Sequence, residues 1–404
     1  MTYVILKPHK EESLKRYHPW VFSGAIARVV LDAAHPSSAP EEGETVCVRS
    51  HADEVLGVGH WQIGSIAVRV LTFKRQRIDQ NFWQKRLAAA LDVRRAIGVA
   101  DRPDNDIFRL VHGEGDGLPG LIVDYYAGVC VMQAHSAGMF RSRKQICEAL
   151  VSVFGSELKA VYDKSSGTAP FKAGLELVDG YLWRSKGFDQ DEMTVLEHGN
   201  SFIVNWTEGQ KTGFFLDQRD NRAAVAKYAC GRCVLNLFCY TGGFSIYALG
   251  AGAVHVDSVD SSARAVAMVD KNVALNGFGT DRHCSWCCDA MEFLKQAPQD
   301  KYDLIIVDPP AFAKHRGVLP NALRAYRRLN ADAIAKVAPG GLVFTFSCSQ
   351  AVDKEAFALA VFSAAAQTGR RVRILDRLCQ GPDHAVSIYH PEGEYLKGLL
   401  LYVE

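Results

Sequence analysis

Leu342-Val343-Phe344-Thr345-Phe346-Ser347-Cys348-Ser349-Gln350 is an apolar run that ends in a thiol. It follows Pro339-Gly340-Gly341, a turn signal, and β-branched and aromatic residues carry it to a small polar cluster. A run bounded in this way predicts a strand buried on both faces of a parallel sheet. Cys348 then stands at the strand's carboxyl end, the edge at which ligands bind in open α/β sheets. The competing reading is an inert buried cysteine, because free Cys is among the most buried residue types.

Outward from that run, the chain from about residue 195 to its end alternates strands with helices. Strands are predicted at 233–238, 254–259, 283–288, 302–308, 341–347, 371–378 and 396–403, after a hairpin of Val195 to Glu197 and Ser201 to Trp206. Seven strands in this alternation indicate a doubly wound α/β sheet, and the closing pair, with no clear helix between, indicates an antiparallel edge. Residues 1–72 instead alternate apolar and polar positions in short stretches such as Val46-Cys47-Val48 and Ile66-Ala67-Val68-Arg69-Val70-Leu71, the pattern of a small β-barrel. Residues 73–102 read as a basic helical connector, with Lys74, Arg75, Arg77, Lys85, Arg86, Arg94 and Arg95 outnumbering Asp79 and Asp92. It either faces a polyanion or is an amphipathic helix whose Phe82, Leu87, Leu91 and Ile97 cover a neighbour. Residues 103–190 form a strand-strand-helix-strand α+β module, and residues 191–404 hold the alternating sheet with its leading hairpin.

At 404 residues the chain exceeds one ordinary core. No apolar stretch is long enough to span a bilayer, and Met1-Thr2-Tyr3-Val4 reads into a strand rather than a signal peptide, so a cytoplasmic protein without a membrane partner is expected. Eleven cysteines, an odd number, fit reduced thiols. Lys7, His9, Lys10, Lys15 and Arg16 precede Tyr17-His18-Pro19-Trp20-Val21-Phe22, which either holds phosphates and stacks bases or is a solvated loop beside a hydrophobic plug.

The chemistry lies at strand ends. Phe238-Cys239-Tyr240-Thr241-Gly242-Gly243-Phe244-Ser245 joins the first strand to a helix, and its glycines let a ligand approach a helix N-terminus. Tyr240 and Thr241 stand where the dinucleotide fingerprint has glycines, which disfavours a nicotinamide dehydrogenase. Asp260, before Ser261, ends the second strand where an acidic residue holds ribose hydroxyls, and Asp289 ends the third, either on an adenine amine or as a helix cap. Asp308-Pro309-Pro310-Ala311-Phe312 ends the fourth, a stiff loop without N–H donors at its prolines, with Asp308 facing a substrate amine or ring nitrogen. Lys314, His315 and Arg316 follow, and Arg324, Arg327 and Arg328 share one helix face that suits a phosphate backbone or is simply solvated.

Together with Phe214-Phe215-Leu216-Asp217-Gln218-Arg219 and Phe346-Ser347-Cys348-Ser349, these motifs resemble the RlmI-type family of S-adenosylmethionine-dependent 23S ribosomal RNA cytosine-5 methyltransferases. The resemblance covers nearly the whole chain. It implies a PUA-like RNA-binding barrel, a small central α+β domain and a Rossmann-like seven-stranded methyltransferase domain. It further implies S-adenosyl-L-methionine as cofactor, held by Phe215, Gln218, Arg222, Phe238, Tyr240, Thr241, Gly242, Asp260, Ser261, Asp289 and Asp308, with Arg222 on its carboxylate. Cys348 and Asp308 are the implied catalytic pair. Carbon 5 of cytosine is a poor nucleophile, so a thiolate adds first to carbon 6, and Asp308 stabilises the adduct. The implied RNA contacts are Pro309, Pro310, Phe312, Lys314, Arg316, Arg324, Arg327 and Arg328.

Many RNA cytosine-5 methyltransferases carry a second cysteine where this chain has Ala311, so thiol-assisted release has no residue here. Two alternatives remain open: an RNA methyltransferase that uses the Asp308-Pro309-Pro310 loop on an exocyclic amine, and a non-catalytic RNA-binding assembly factor. No metal is expected. Cys230 with Cys233 and Cys284 with Cys287 sit on strands that flank a third, about 10 Å apart by strand spacing. The sequence is compatible with a homodimer and does not specify the oligomeric state.

Overall fold

The computed structural model describes residues 1–32, 39–170, 174–313 and 316–404, the side chain of Arg316 excepted. Two units divide the chain, the first made of 1–195, 204–214 and 382–393, the second of 196–203, 215–381 and 394–404.

In the first unit, the alternating stretches near the N-terminus become β1 (Thr2–Leu6), β2 (Trp20–Phe22), β3 (Ile26–Val30), β4 (Thr45–Arg49), β5 (Val55–Trp61) and β6 (Ile66–Thr72), with a short helix α1 (Glu12–Lys15). They form one sheet in the order β2-β6-β5-β4-β1-β3 around a core of Val4, Leu6, Val46, Val48, Val68 and Val70. Helix α2 (Gln80–Ala96) starts at Asp79, whose carboxylate accepts the Phe82 amide at 3.0 Å. Phe82, Leu87 and Leu91 join the core of a second sheet, whereas Ile97 is 36% exposed. Arg94 is fully buried and pairs with Asp116, so it does not face a polyanion as the basic composition of the connector suggested.

That second sheet has five strands, β7 (Ile107–His112), β8 (Leu121–Tyr126), β9 (Val129–Ala134), β10 (Ala160–Asp163) and β11 (Gly180–Arg184), in the order β11-β10-β9-β8-β7, with α3 (Ala137–Arg141) and α4 (Arg143–Phe154). The sequence pattern showed three of these strands. β7 escaped it because Arg109 interrupts the apolar run, and the structure neutralises that charge with Asp124 at 2.8 Å.

The hairpin β12 (Glu192–Glu197) and β13 (Asn200–Asn205) leads to α5 (Arg219–Ala229). The second unit then alternates β14 (Cys233–Leu237), α6 (Gly243–Gly250), β15 (His255–Asp260), α7 (Ala263–Leu275), β16 (His283–Cys287), α8 (Ala290–Gln296), β17 (Tyr302–Val307), α9 (Leu319–Lys336), β18 (Val337–Ser347), α10 (Lys354–Thr368), β19 (Val372–Cys379) and β20 (Lys397–Val403). The sheet order is β16-β15-β14-β17-β18-β20-β19. β14 to β18 are parallel, and β20 lies antiparallel between β18 and β19. This is the expected seven-stranded doubly wound sheet with its antiparallel edge.

Ile305, Val307, Val343 and Leu401 pack against Leu294 of α8, Tyr326 and Leu329 of α9, and Phe357 and Val361 of α10. Pro339-Gly340-Gly341 does not precede β18 as a turn. It is a bulge inside it, since Tyr302 pairs with Val337 but Leu304 with Leu342, and Gly340 at φ 77° absorbs the extra chain. Among the described residues no helix is long and apolar enough to cross a membrane. All eleven cysteines are free.

Candidate active site

Every candidate catalytic and cofactor residue lies in the second unit, at the carboxyl ends of its parallel strands or in the segment 215–222. After β14 the chain turns through Phe238 at φ 58°, Tyr240 at φ 47° and Gly242 at φ 83°. Two side-chain-bearing residues in the left-handed region cost roughly 1–3 kcal/mol each and persist only where the surroundings hold them. Here the Cys239 amide donates to the Val259 carbonyl at 3.0 Å, the Gly242 amide to the Cys239 carbonyl at 2.8 Å, and the Tyr240 amide to Asp260 Oδ2 at 3.0 Å. Asp260 Oδ1 accepts the Ser262 amide at 2.9 Å, so this carboxylate ties the loop to the start of α7. Thr241 is buried, and its carbonyl accepts Asn272 Nδ2 at 2.9 Å. Ser261 is exposed.

Phe215 stands edge-on to Tyr240, ring centroids 5.1 Å apart. Arg222, expected to meet a cofactor carboxylate, is buried and forks onto Glu197 at 2.7 and 2.8 Å, while its Nη1 donates to the Phe215 carbonyl at 2.9 Å. A guanidinium matched to a buried carboxylate in this way anchors the 215–222 segment. Asp289 is exposed, and its Oδ1 accepts the Met291 and Glu292 amides, so it caps α8.

The other half of the edge is built differently. Gln218 is buried, and its Nε2 donates to Asp308 Oδ2 at 3.0 Å. Its Oε1 accepts Asn221 Nδ2 at 2.6 Å, which fixes the amide's orientation. Burial, helped by the neighbouring Asp217 carboxylate, pushes the Asp308 carboxyl up to about 7, against the Gln218 hydrogen bond and the Arg222 charge. Asp217 Oδ2 accepts the Tyr395 hydroxyl at 2.6 Å. Pro309 is buried, Pro310 exposed, and the Phe312 ring packs 4.8 Å from Tyr326.

Cys348 follows β18 and is half-buried. The residues around it are tightly held. Ser347 Oγ donates to the Tyr326 hydroxyl at 2.9 Å, and Ser349 Oγ to the Ala313 carbonyl, which links the thiol's loop to the Asp308 loop. Tyr326 is pushed up to about 12, mainly by burial, with Cys348 and Asp308 both contributing, so one tyrosine senses both groups. Lys397, at the start of β20, is 6% exposed and donates to the Ser349 carbonyl. Burial lowers it to about 8 against the pull of Cys348.

Sequence reasoning passed over Lys397, although a single charged residue opening the apolar Lys397-Gly398-Leu399-Leu400-Leu401 was a visible signal. Asp217 and Tyr395 were also missed, because they meet only across 178 positions of chain.

Arg324, Arg327 and Arg328 are exposed on α9 and, with Asp332 and Gln367, line an open cleft. Lys314 and the side chain of Arg316 lie outside the described residues. In the first unit, Tyr17 and Phe22 of the aromatic segment are exposed, whereas Trp20 donates to Glu114 at 2.7 Å.

The two cysteine pairs lie on β14 and β16 or just before β14, with β15 between those strands. His18, His390 and Glu392 converge in the first unit, where His18 Nδ1 accepts the Trp20 amide at 3.3 Å.

Residues 181–390 match the S-adenosylmethionine-dependent methyltransferase family, and residues 4–73 match the PUA-like domain. Two relatives are named ribosomal RNA large subunit methyltransferase I: one from Pseudoalteromonas atlantica, 40% identical with 99% of each chain covered, and one from Aeromonas hydrophila, 38% identical with 98% of each covered. A Streptococcus mutans structure described as a S-adenosylmethionine-dependent methyltransferase shares the fold at TM-score 0.82 and 23% identity over 100% of both chains. The chain therefore belongs to the S-adenosylmethionine-dependent methyltransferases, and among them to the family of the ribosomal RNA large subunit methyltransferase I proteins.

Proposed function

We propose that this S-adenosylmethionine-dependent methyltransferase forms 5-methylcytosine in 23S ribosomal RNA, with Cys348 as nucleophile and Asp308 as proton donor to the cytosine ring. The observation that carries this reading is a half-buried thiol at the end of β18, linked through its loop to a carboxyl at the end of β17 that is pushed up to about 7. An amine-methylating site needs no thiol there. The names of the relatives support a ribosomal RNA substrate.

The Cys348 thiolate forms a bond to carbon 6, and the displaced π electrons reach ring nitrogen 3, where the Asp308 proton neutralises them. A carboxyl with a value near 7 can hold that proton at neutral pH, which an ordinary aspartate cannot. Gln218 fixes one Asp308 oxygen and leaves the other for the ring. Bound S-adenosylmethionine supplies an electrophilic methyl group to carbon 5. A base then takes the carbon 5 proton, the electrons re-form the 5,6 double bond and break the carbon–sulfur bond, the thiolate returns, and ring nitrogen 3 gives its proton back to Asp308.

Phe215, Gln218, Phe238, Tyr240, Thr241, Gly242, Asp260 and Ser261 surround the cofactor in this reading, and Arg222 acts through Phe215. The positive φ of Gly242 and the strained Phe238 and Tyr240 fit a loop shaped to approach a ligand closely. Pro309, Pro310 and Phe312 border the base, which must leave its stack to reach the thiol, and Arg324, Arg327 and Arg328 meet phosphates.

Cys348→Ala is expected to abolish methyl transfer to 23S RNA while S-adenosylmethionine binding survives. RNA bearing 5-fluorocytidine is expected to trap the intact protein covalently, because fluorine blocks the elimination. Full activity of the alanine variant would sink the thiol mechanism in favour of methylation of an amine.

A further inference from the structure

Three metal-ligand side chains that methyl transfer does not use converge in the first unit. His18, in the loop between α1 and β2, has its Nε2 3.7 Å from one carboxylate oxygen of Glu392, and His390 Nε2 lies 3.8 Å from the other. One ligand atom from each of the three lies within 4.8 Å of the other two. His390 and Glu392 share one tight turn, in which the His390 amide donates to the Ser387 carbonyl at 2.9 Å and the Gly393 amide to the His390 carbonyl at 3.3 Å.

These distances are too long for hydrogen bonds to the carboxylate. His390 is the second observation: its side chain is 4% exposed, and neither ring nitrogen has a hydrogen-bond partner among the described residues. Trp20, whose ring lies edge-on to it with centroids 4.3 Å apart, has its own N–H committed to Glu114. A buried imidazole without partners is costly, and it marks the place of an ion or a water.

The donor set favours an ion. Two imidazoles and a carboxylate suit a divalent metal such as zinc, with a fourth position left to water. Two imidazoles on one tetrahedral ion bring their ring centres to roughly 5 Å, and those of His18 and His390 are 5.5 Å apart. The gaps of 3.7 and 3.8 Å to Glu392 have to close to roughly 3.3 Å, a small movement for an exposed glutamate. Ligation through His18 Nε2 puts the ring proton on Nδ1, so the contact with the Trp20 amide is given up. At 3.3 Å that contact is longer than an ordinary hydrogen bond, and little is lost with it.

We propose that His18, His390 and Glu392 form a binding site for a divalent transition metal of the zinc class, which staples the loop before β2 to the turn at 390–393. The site is independent of the roles read for Cys348 and Asp308.

The test uses the full chain without an affinity tag, stripped by a chelator, kept reduced, and titrated with zinc chloride or cobalt chloride alone. Eleven thiols are present, so the readout has to distinguish nitrogen and oxygen ligands from sulfur. Cobalt is expected to give visible d–d absorption without the near-ultraviolet charge-transfer band of a thiolate ligand. Calorimetry is expected to find one zinc equivalent, weakened about a hundredfold in His390→Gln and about tenfold in Glu392→Gln. Zinc is expected to raise the melting temperature of the native chain and not that of His390→Gln. A zinc isotherm unchanged in both variants overturns the proposal, and so does cobalt bound only with a thiolate band. Absence of stoichiometric binding overturns it as well and leaves a water as the partner of His390. If His390→Gln does not fold, Glu392→Gln decides alone, because Glu392 is exposed and its replacement leaves the backbone bonds of the turn in place.

Discussion

Both halves of the sheet's carboxyl edge present aspartates, but the two halves satisfy them in opposite ways. On the β14–β16 side, Asp260 and Asp289 accept backbone amides: Asp260 takes those of Tyr240 and Ser262, and Asp289 those of Met291 and Glu292. On the β17–β18 side, Asp308 has a single side-chain donor among the described residues, Gln218, and lies near a second carboxylate, Asp217. An aspartate whose oxygens accept backbone amides is held in place and serves as a fixed strut. One that is buried beside another carboxylate tends to keep its proton. The same residue type therefore builds a strut on one side and, in the proposed mechanism, a proton donor on the other.

Asp308→Asn gives the largest effect that tests this contrast. Loss of the donor proton is expected to lower kcat/KM by about 10² to 10⁴-fold while S-adenosylmethionine affinity changes little. In the native protein the folded value is raised, so the folded state holds a proton that the unfolded chain gives up from about pH 4 upward. Stability is therefore expected to fall as pH rises from there to about 7, and to level off beyond. The asparagine substitution removes that penalty, so the inactive variant is expected to melt higher than the native protein at pH 8. Activity of the native protein should decline on the alkaline side of about 7, and an unchanged alkaline limb in a still-active Asp308→Asn would break the comparison.

Asp260→Ala should act on binding rather than on chemistry. Each hydrogen bond to a charged group contributes about 1.5–3 kcal/mol, and two are lost from a loop that holds Phe238 and Tyr240 in left-handed conformations. An increase in the S-adenosylmethionine Kd of about ten- to a hundredfold by calorimetry is expected, with the rate at saturating cofactor largely retained. A fall in that rate as large as for Asp308→Asn would erase the division between the two halves.

The three arginines of α9 sharpen the contrast from outside the edge. Arg327→Ala is expected to weaken RNA binding a few-fold in a salt-dependent way, about equally for target and non-target sequences, because a phosphate contact carries no base information. A loss confined to the target sequence would instead assign Arg327 to base readout.

What the sequence made legible follows from the physics of each element. Parallel strands buried on both faces, such as Leu304-Ile305-Ile306-Val307, show as apolar runs, and the motifs at their ends fall where the sheet order brings them together. Strand β7 was hidden because Arg109 needs Asp124, which lies beyond a turn. Arg94 looked like a solvent-facing cation because its counterion, Asp116, stands 22 residues away. Arg222 looked available for a ligand for the same reason, since Glu197 lies 25 residues earlier in a hairpin. A charge reads as exposed until its partner is known, and partners that are distant in the chain leave no local trace. Lys397 differs in that it interrupts an apolar strand with no compensating acid pairing with it among the described residues.

The smallest effect belongs to Asp289, and it tests the shelf side of the comparison most directly. Its side chain is exposed, and it accepts two amides at the start of α8. If that task is all it does, Asp289→Ala costs about 1 kcal/mol of stability, the usual value of a lost N-cap, and Asp289→Ser recovers most of it because serine caps nearly as well. The S-adenosylmethionine Kd of both variants would then match the native value. A contact with the adenine amine separates from capping in the serine variant, which keeps the cap but loses the carboxylate. A Kd raised several-fold in Asp289→Ser with an unchanged melting temperature would make Asp289 a ligand residue as well as a strut, and would extend the binding half of the edge to its third strand.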